Sequence, residues 1–244
     1  MAFDFCLRGW AAFASGLHTP EDWKAWAAQP FLPQGEEAPA LPELAPMARR
    51  RANTLGRMAL QVAYWAQEEK SHVPVVLASR HGDLERSLAL LAEMAAEEPM
   101  SPTGFGLSVH NAIGAMYSIA RGDRSNYLAV AAGADTVALG VVEAAGLLAD
   151  GAEEVLLLCY DTPLPGDYSV FRDEPAATYA WAWRITPPVA GGTRLRLSRS
   201  EATDAVAEPA LLPYGLDVLR FALSAEDASA RPLTGHGWEW RHHV

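Results

Sequence analysis

One stretch limits the folds open to this chain more than any other: residues 126 to 151, NYLAVAAGADTVALGVVEAAGLLADG. A short apolar run at 127 to 132 has strand length, a turn of small residues follows, and an apolar segment from about 135 to 150 has helix length. Between Thr136 and Ala149 the only charged residue is Glu143. A helix that is apolar almost all round is expected in the middle of a protein or in a subunit interface. The turn before it would hold a nucleophile at the free amides of a helix N-terminus, where a developing anion is stabilised. No Cys, Ser or Thr occupies 131 to 135, which read AAGAD.

The flanking segments repeat the strand-then-helix pattern. VPVVLAS (73 to 79) and EEVLLLCYD (153 to 161) are continuous apolar runs, as strands buried on both faces require. Leu55, Met58, Ala59 and Val62 recur at helical spacing within 49 to 68, as do Leu84, Leu88, Leu91 and Ala95, and then Ile113, Met116, Tyr117 and Ala120. Residues 3 to 15 read as a strand, and 19 to 26 as a short helix with Thr19 as N-cap and Pro20 at its first position. Pro30 to Pro46 is an irregular connector, and MSPTGFGLS (100 to 108) a turn-rich loop. After Asp161 the alternation in TYAWAWRI and TRLRLSRS, with AGG between them, predicts a hairpin of half-buried antiparallel strands, followed by a helix at about 214 to 223 and a tail. The expected fold is α/β: a mixed sheet covered by helices, in one domain over 1 to 244.

Nineteen Lys and Arg against 30 Asp and Glu give a net charge of −11, which argues against nucleic acid or an anionic membrane as partner. No apolar run reaches the ~18 residues of a membrane span, and no leader pattern opens the chain, so a cytoplasmic protein is expected. Cys6 and Cys159 lie in strand-like runs and read as packed thiols. The adjacent His242 and His243 make a poor metal site, so neither metal nor cofactor is expected. Ser79-Arg80-His81-Gly82-Asp83 gathers the residue types of a hydrolase triad, but neighbours in one turn cannot aim at each other. A strand-to-helix turn with Asp83 as cap is the reading adopted, and His110 is expected to fix a loop.

The block Pro99 to Leu158, with SPTGFGLSVHN at its start and ADGAEEVLLL at its end, resembles the β-ketoacyl synthases of the thiolase-like fold, which condense acyl chains on carrier proteins. Laying Asn111 and Gly151 on their family counterparts needs no gap, and the catalytic Cys then falls on Ala134. Asp135 beside it is expected to cap the helix, occupying the amides that an oxyanion would use. The 83 residues after Asp161 contain no lysine and are too few for the second half of the family fold, whose histidines and lysine drive decarboxylation. TGHGW at 234 to 238 lacks the context of the family's His-Gly motif, so His236 reads as a tail histidine.

The chain thus resembles a truncated N-terminal half of a ketosynthase, similar to the chain length factors of type II polyketide systems and in particular of aryl polyene pathways. PELAPMARRRANTLGRMAL, ASRHGDLERSLALL and YDTPLPGDY carry the likeness further, over residues 1 to 170, and it thins over 171 to 244. The resemblance implies a noncatalytic subunit that forms a heterodimer with a catalytic ketosynthase and meets an acyl carrier protein transiently. It implies that Phe105, Asn111, Ile113, Met116 and Tyr117 lie at the interface and could shape the partner's acyl tunnel. Arg49, Arg50 and Arg51, read as opening a helix against its dipole, could dock the acidic carrier. The competing readings are an independent acyltransferase or thioester hydrolase using Ser79, His81 or His236, and a scaffold that only stabilises its partner.

Overall fold

The computed structural model describes residues 1–67, 72–201, 210–233 and 235–243. One eight-stranded sheet organises them. Its strands are β1 (Ala2–Ala14), β2 (Val75–Ala78), β3 (Tyr127–Val130), β4 (Val155–Asp161), β5 (Tyr179–Thr186), β6 (Thr193–Glu201), β7 (Ala228–Leu233) and β8 (His236–His243), in the order β3-β2-β4-β5-β1-β6-β8-β7. β2 runs parallel to β3 and β4, and the remaining pairs are antiparallel. The helices are α1 (Pro20–Ala28), α2 (Pro46–Arg49), α3 (Thr54–Ala66), α4 (Leu84–Ala95), α5 (Pro102–Ser108), α6 (Ala112–Arg121), α7 (Thr136–Ala149) and α8 (Tyr214–Leu223).

The mixed, helix-covered sheet agrees with the expected fold, but its pairing does not. β5 and β6 do not form a hairpin: β1 lies between them and pairs with both. Nor is β5 half-buried. Its Trp181, Trp183 and Ile185 face one core, and Ala180 and Ala182 face the other. The small side let α3 approach closely, and the large side packs under α7 and α8. A bulge between Leu7 and Gly9 of β1 inserts a residue and reverses the alternation, so that odd-numbered Phe5 and even-numbered Ala12 face the same core. The hairpin of the C-terminal region is β7–β8, where sequence reasoning expected only a tail.

Helix starts follow their caps. Thr19 and Asp22 form a capping box at α1, Asn53 caps α3, and Asp83 accepts the Arg86 amide at α4. Ser101 caps α5, so 102 to 108 is a helix and not the expected loop: Pro102 at its first turn fits a helix start. Arg49 to Arg51 do not open a helix. They close the short α2 and precede the cap of α3, so the expected conflict with the dipole disappears.

α7 packs against β2 and β4, close enough that a Cβ on Gly140 would meet Ala78 at 3.0 Å. It is buried on that side alone: Thr136, Val137, Ala138, Val141 and Ala144 are covered, whereas Glu143 and Gly146 are exposed and Leu139, Val142 and Leu147 are partly covered. In the single chain α7 is therefore not covered all round; α8 packs on part of it. Cys6 and Cys159 are free, buried thiols. Among the described residues no helix is long and apolar enough to cross a membrane, and no three His, Cys, Asp or Glu side chains gather as a metal ion needs.

Candidate functional site

The turn joining β3 to α7 is tied by its own residues. Gly133 takes a left-handed φ of 56°, a conformation open to a residue without Cβ. The Thr136 hydroxyl donates to the Gly133 carbonyl at 2.8 Å and accepts the Ala132 amide at 3.0 Å. Ala134 sits half-buried in the short 3-10 turn Gly133–Asp135 and offers only a methyl group.

Asp135 does not cap α7 with its side chain, contrary to expectation. Its Oδ1 instead accepts from His236 Nε2 at 2.8 Å and from Trp238 Nε1 at 2.5 Å, both on β8. The carboxylate is thus turned away from the helix amides and toward the hairpin. His236 is the first residue of a strand whose side chain touches the candidate turn, not the tail residue expected. Trp238 is 3% exposed. Sequence reasoning missed its part because a tryptophan names no partner.

Arg80 holds the other side of the same turn. It donates from Nε to the Gly133 carbonyl at 3.2 Å and ion-pairs through its remaining nitrogens with Asp173 and Glu174, each at 2.7 Å. Glu174 in turn accepts the Tyr214 amide at the start of α8, at 3.0 Å. One guanidinium therefore links the end of β2, the turn and the segment before β5. Asp161, at the end of β4, accepts from the Ser79 hydroxyl at 3.0 Å and the Arg80 amide at 2.9 Å. Burial pushes its pKa up to about 7 from the usual carboxylate range, against the lowering by these two donors.

No triad forms at 79 to 83. Ser79 is fully buried with its hydroxyl given to Asp161, and His110 Nε2 donates to the Ser79 carbonyl at 2.9 Å, the loop-fixing part expected of it. His236 is engaged with Asp135.

The expected interface residues divide. Ile113 and Tyr117 are buried in this chain's own core, and the Tyr117 hydroxyl donates to Gln67 Oε1 at 2.8 Å while its ring lies edge-on to Tyr64. Tyr117 has no surface to offer a partner's tunnel, which corrects the expectation for that side chain. Met116 is half-buried, Asn111 is exposed and makes no side-chain cap bond, and Phe105 is 61% exposed. Ala120, grouped with the apolar face, is exposed too. Sequence reasoning passed over further exposed apolar residues on α4 and α6: Leu91, Met94 and Ile119, the last 81% exposed. A helical period does not tell whether an apolar face covers its own core or another chain's. Among the described residues β3 is an edge strand, paired with β2 alone. Arg50 and Arg51 are exposed, and Arg49 donates to the Leu41 carbonyl at 3.4 Å.

The family model described as the N-terminal domain of β-ketoacyl synthase matches residues 23–241. Among solved structures, a complex from Xenorhabdus doucetiae of a ketosynthase (ApeO) with its chain length factor (ApeC) contains a similar chain. That match has a TM-score of 0.85 at 28% identity and covers 98% of this chain and 99% of that one. The ishigamide ketosynthase/chain length factor aligns at TM-score 0.64 and 13% identity, over 83% of this chain and 68% of that one. AntDE:AntF, a type II polyketide synthase acyl carrier protein with its ketosynthase, aligns at 0.68 and 11% over 99% of both chains. At those identities the last two speak for the fold alone. No protein of curated function matches the sequence.

Proposed function

This chain belongs to the β-ketoacyl synthase N-terminal-domain family, and from that premise we propose that it is a noncatalytic chain length factor, pairing with a Cys-bearing ketosynthase and shaping its acyl tunnel. The observation that carries the reading is the turn at Ala134. Acyl transfer by this family's chemistry needs a thiol at the helix N-terminus. Here a methyl group stands on that turn, and the residue beside it is engaged by Trp238 and His236.

The surface supports a partner. An edge strand exposes unpaired main-chain groups, and the exposed Phe105, Leu91, Met94 and Ile119 lie on the helices that follow β2 and lead into it. A ketosynthase using its own equivalent strand would continue the sheet across β3. The matched chain of the ketosynthase and chain length factor complex has nearly this chain's length, which supports a subunit of half size. The tunnel-shaping part falls to Phe105 and Met116. Arg50 and Arg51 supply the positive surface for a transient acyl carrier protein, and the chemistry asks for no cofactor on this subunit. The product proposed is an aryl polyene. An independent hydrolase finds no support in the buried, committed Ser79.

The test is coexpression with a ketosynthase of the same gene neighbourhood, with Phe105→Ala and Met116→Ala compared by mass spectrometry of the polyene. A lengthened product from an intact complex is expected. Unchanged lengths in both variants would leave only a scaffold, and a monomeric chain with thioesterase activity would overturn the proposal.

A further inference from the structure

β3, β2 and β4 lie side by side in that order and run parallel. The crossover from β2 to β3 covers one face, where α6 buries Ile113 and Tyr117, and the crossover from β3 to β4 covers the other, where α7 buries Val137, Ala138 and Val141. The two crossovers diverge between the carboxyl ends of β2 and β4. Such a switch point leaves a crevice of the kind in which α/β sheets bind ligands.

A small cavity lies at this crevice. Its volume is about 30 Å³, room for one water-sized group. Asp161, from the end of β4, lines it together with the apolar Pro163, Leu164, Pro175 and Pro213. Asp161 is only 8% exposed, and its Oδ1 takes both of its donors, the Ser79 hydroxyl and the Arg80 amide. Among the described residues Oδ2 has no hydrogen-bond partner, and it is not sealed in the core. One oxygen of a buried carboxyl is thus left to the cavity.

The charges around it are spent on each other. Arg80 ion-pairs with Asp173 and Glu174, and Arg231 stands 3.6 Å from Glu174, so two cations balance two carboxylates. Arg172 is exposed and, among the described residues, pairs with none of these acids. Burial, with Arg80 beside it, holds His81 below its usual range, and burial pushes the Cys159 thiol and the Tyr179 hydroxyl up, so all three are neutral near pH 7. An ionised Asp161 therefore lacks a counter-ion of its own.

We propose that this pocket receives the ammonium head of an unbranched primary amine, with the alkyl chain lying between the prolines. The head has the size the cavity admits, donates to the free Oδ2 and supplies the missing counter-ion. The proposal rests on this chain's own residues and not on the pairing with a ketosynthase.

The test titrates the full chain, in the assembly in which it purifies, with n-butylammonium chloride by calorimetry in buffers of different ionisation enthalpy. The free pocket keeps Asp161 protonated up to about pH 7, whereas the amine stays charged throughout. Binding is expected to release a proton at about pH 6 and to tighten roughly tenfold between about pH 6 and about pH 8. n-Butanol lacks the charge, and tetramethylammonium lacks the N–H and exceeds the cavity, so neither should bind. Asp161→Asn should lose roughly tenfold or more in affinity and all of the proton release. Nα-acetyl-lysine N-methylamide, titrated in parallel, tells a lysine side chain from a free amine as the source of the head. No saturable binding, equal binding of n-butanol or tetramethylammonium, no proton release at the lower pH, or full affinity in Asp161→Asn would overturn the proposal. The two control ligands act on the native chain and decide the matter even where the variant does not fold.

Discussion

Replacing Asp135 with Ala would remove the acceptor shared by two donors on β8 while leaving both donors in place. Trp238 is 3% exposed, and its indole N–H has Asp135 Oδ1 as partner. Leaving a buried donor unpaired costs about 1–3 kcal/mol. The His236 side chain is 19% exposed, and that screened contact adds at most about 1 kcal/mol. A loss of roughly 2–3 kcal/mol is expected, which in a chain of this length lowers the melting temperature by about 5–10 °C. Trp238→Phe keeps an aromatic ring, removes the donor and leaves part of the indole's volume empty, at a cost of roughly 2–4 kcal/mol. The double variant should then lose less than the sum, with a coupling of about 1–2 kcal/mol. Asp135→Asn keeps an acceptor and should recover most of the loss. Urea and thermal unfolding followed by circular dichroism, on the chain in the form in which it purifies, would measure all four. Additive single losses, or an Asp135→Ala chain as stable as the native one, would refute the claim that this carboxylate fastens β8 to the turn.

Asp161 makes stability depend on pH. Between about 4 and about 7 the folded chain keeps a proton that the unfolded chain has released, so stability falls as pH rises through that window and the cost is complete above it. The full effect is at most roughly 4 kcal/mol. Asp161→Asn retains an oxygen for the Ser79 hydroxyl and the Arg80 amide, so it should flatten the profile of urea midpoint against pH; an unchanged slope counts against the assignment. Tyr117→Phe should cost about 1–2 kcal/mol in urea unfolding, because Gln67 Oε1 loses a buried donor, and should leave polyene length as it was. Ala134→Cys should be alkylated by iodoacetamide yet give no condensation with malonyl carrier protein in the absence of a ketosynthase; turnover would sink the noncatalytic reading.

How much was legible follows from what each pattern encodes. Helical spans were read well where caps and periods agree, as at Thr19 for α1 and Asp83 for α4. The alternation in 179 to 186 and 193 to 201 identified two strands and their faces, but alternation carries no information about neighbours. Only the long-range partner, β1 with its bulge, decides that they flank a third strand. The apolar faces of α4 and α6 were legible as apolar, yet Leu91 and Ile119 point outward where Tyr117 points inward. At the candidate turn the absence of a nucleophile was visible in AAGAD itself. The engagement of Asp135 was not, because His236 and Trp238 lie about a hundred residues away. The local expectation of a cap lost to a contact made by the distant hairpin.

The position of β1 also bears on how the chain is made. Cys6 pairs with Thr186 on one side and Arg194 on the other, so both neighbours of this strand are synthesised roughly 180 residues after it. At the usual ~5–20 residues per second of translation, β1 waits on the order of 10–40 s before it can enter the sheet. During that interval its apolar residues, Phe5 and Phe13 among them, have α1 to α7 and β2 to β4 for company but neither of the strands that flank β1 in the sheet. Contacts of such sequence separation form late and slowly, so the yield of folded chain should depend on what shields that strand at the ribosome as well as on the stability of the finished sheet.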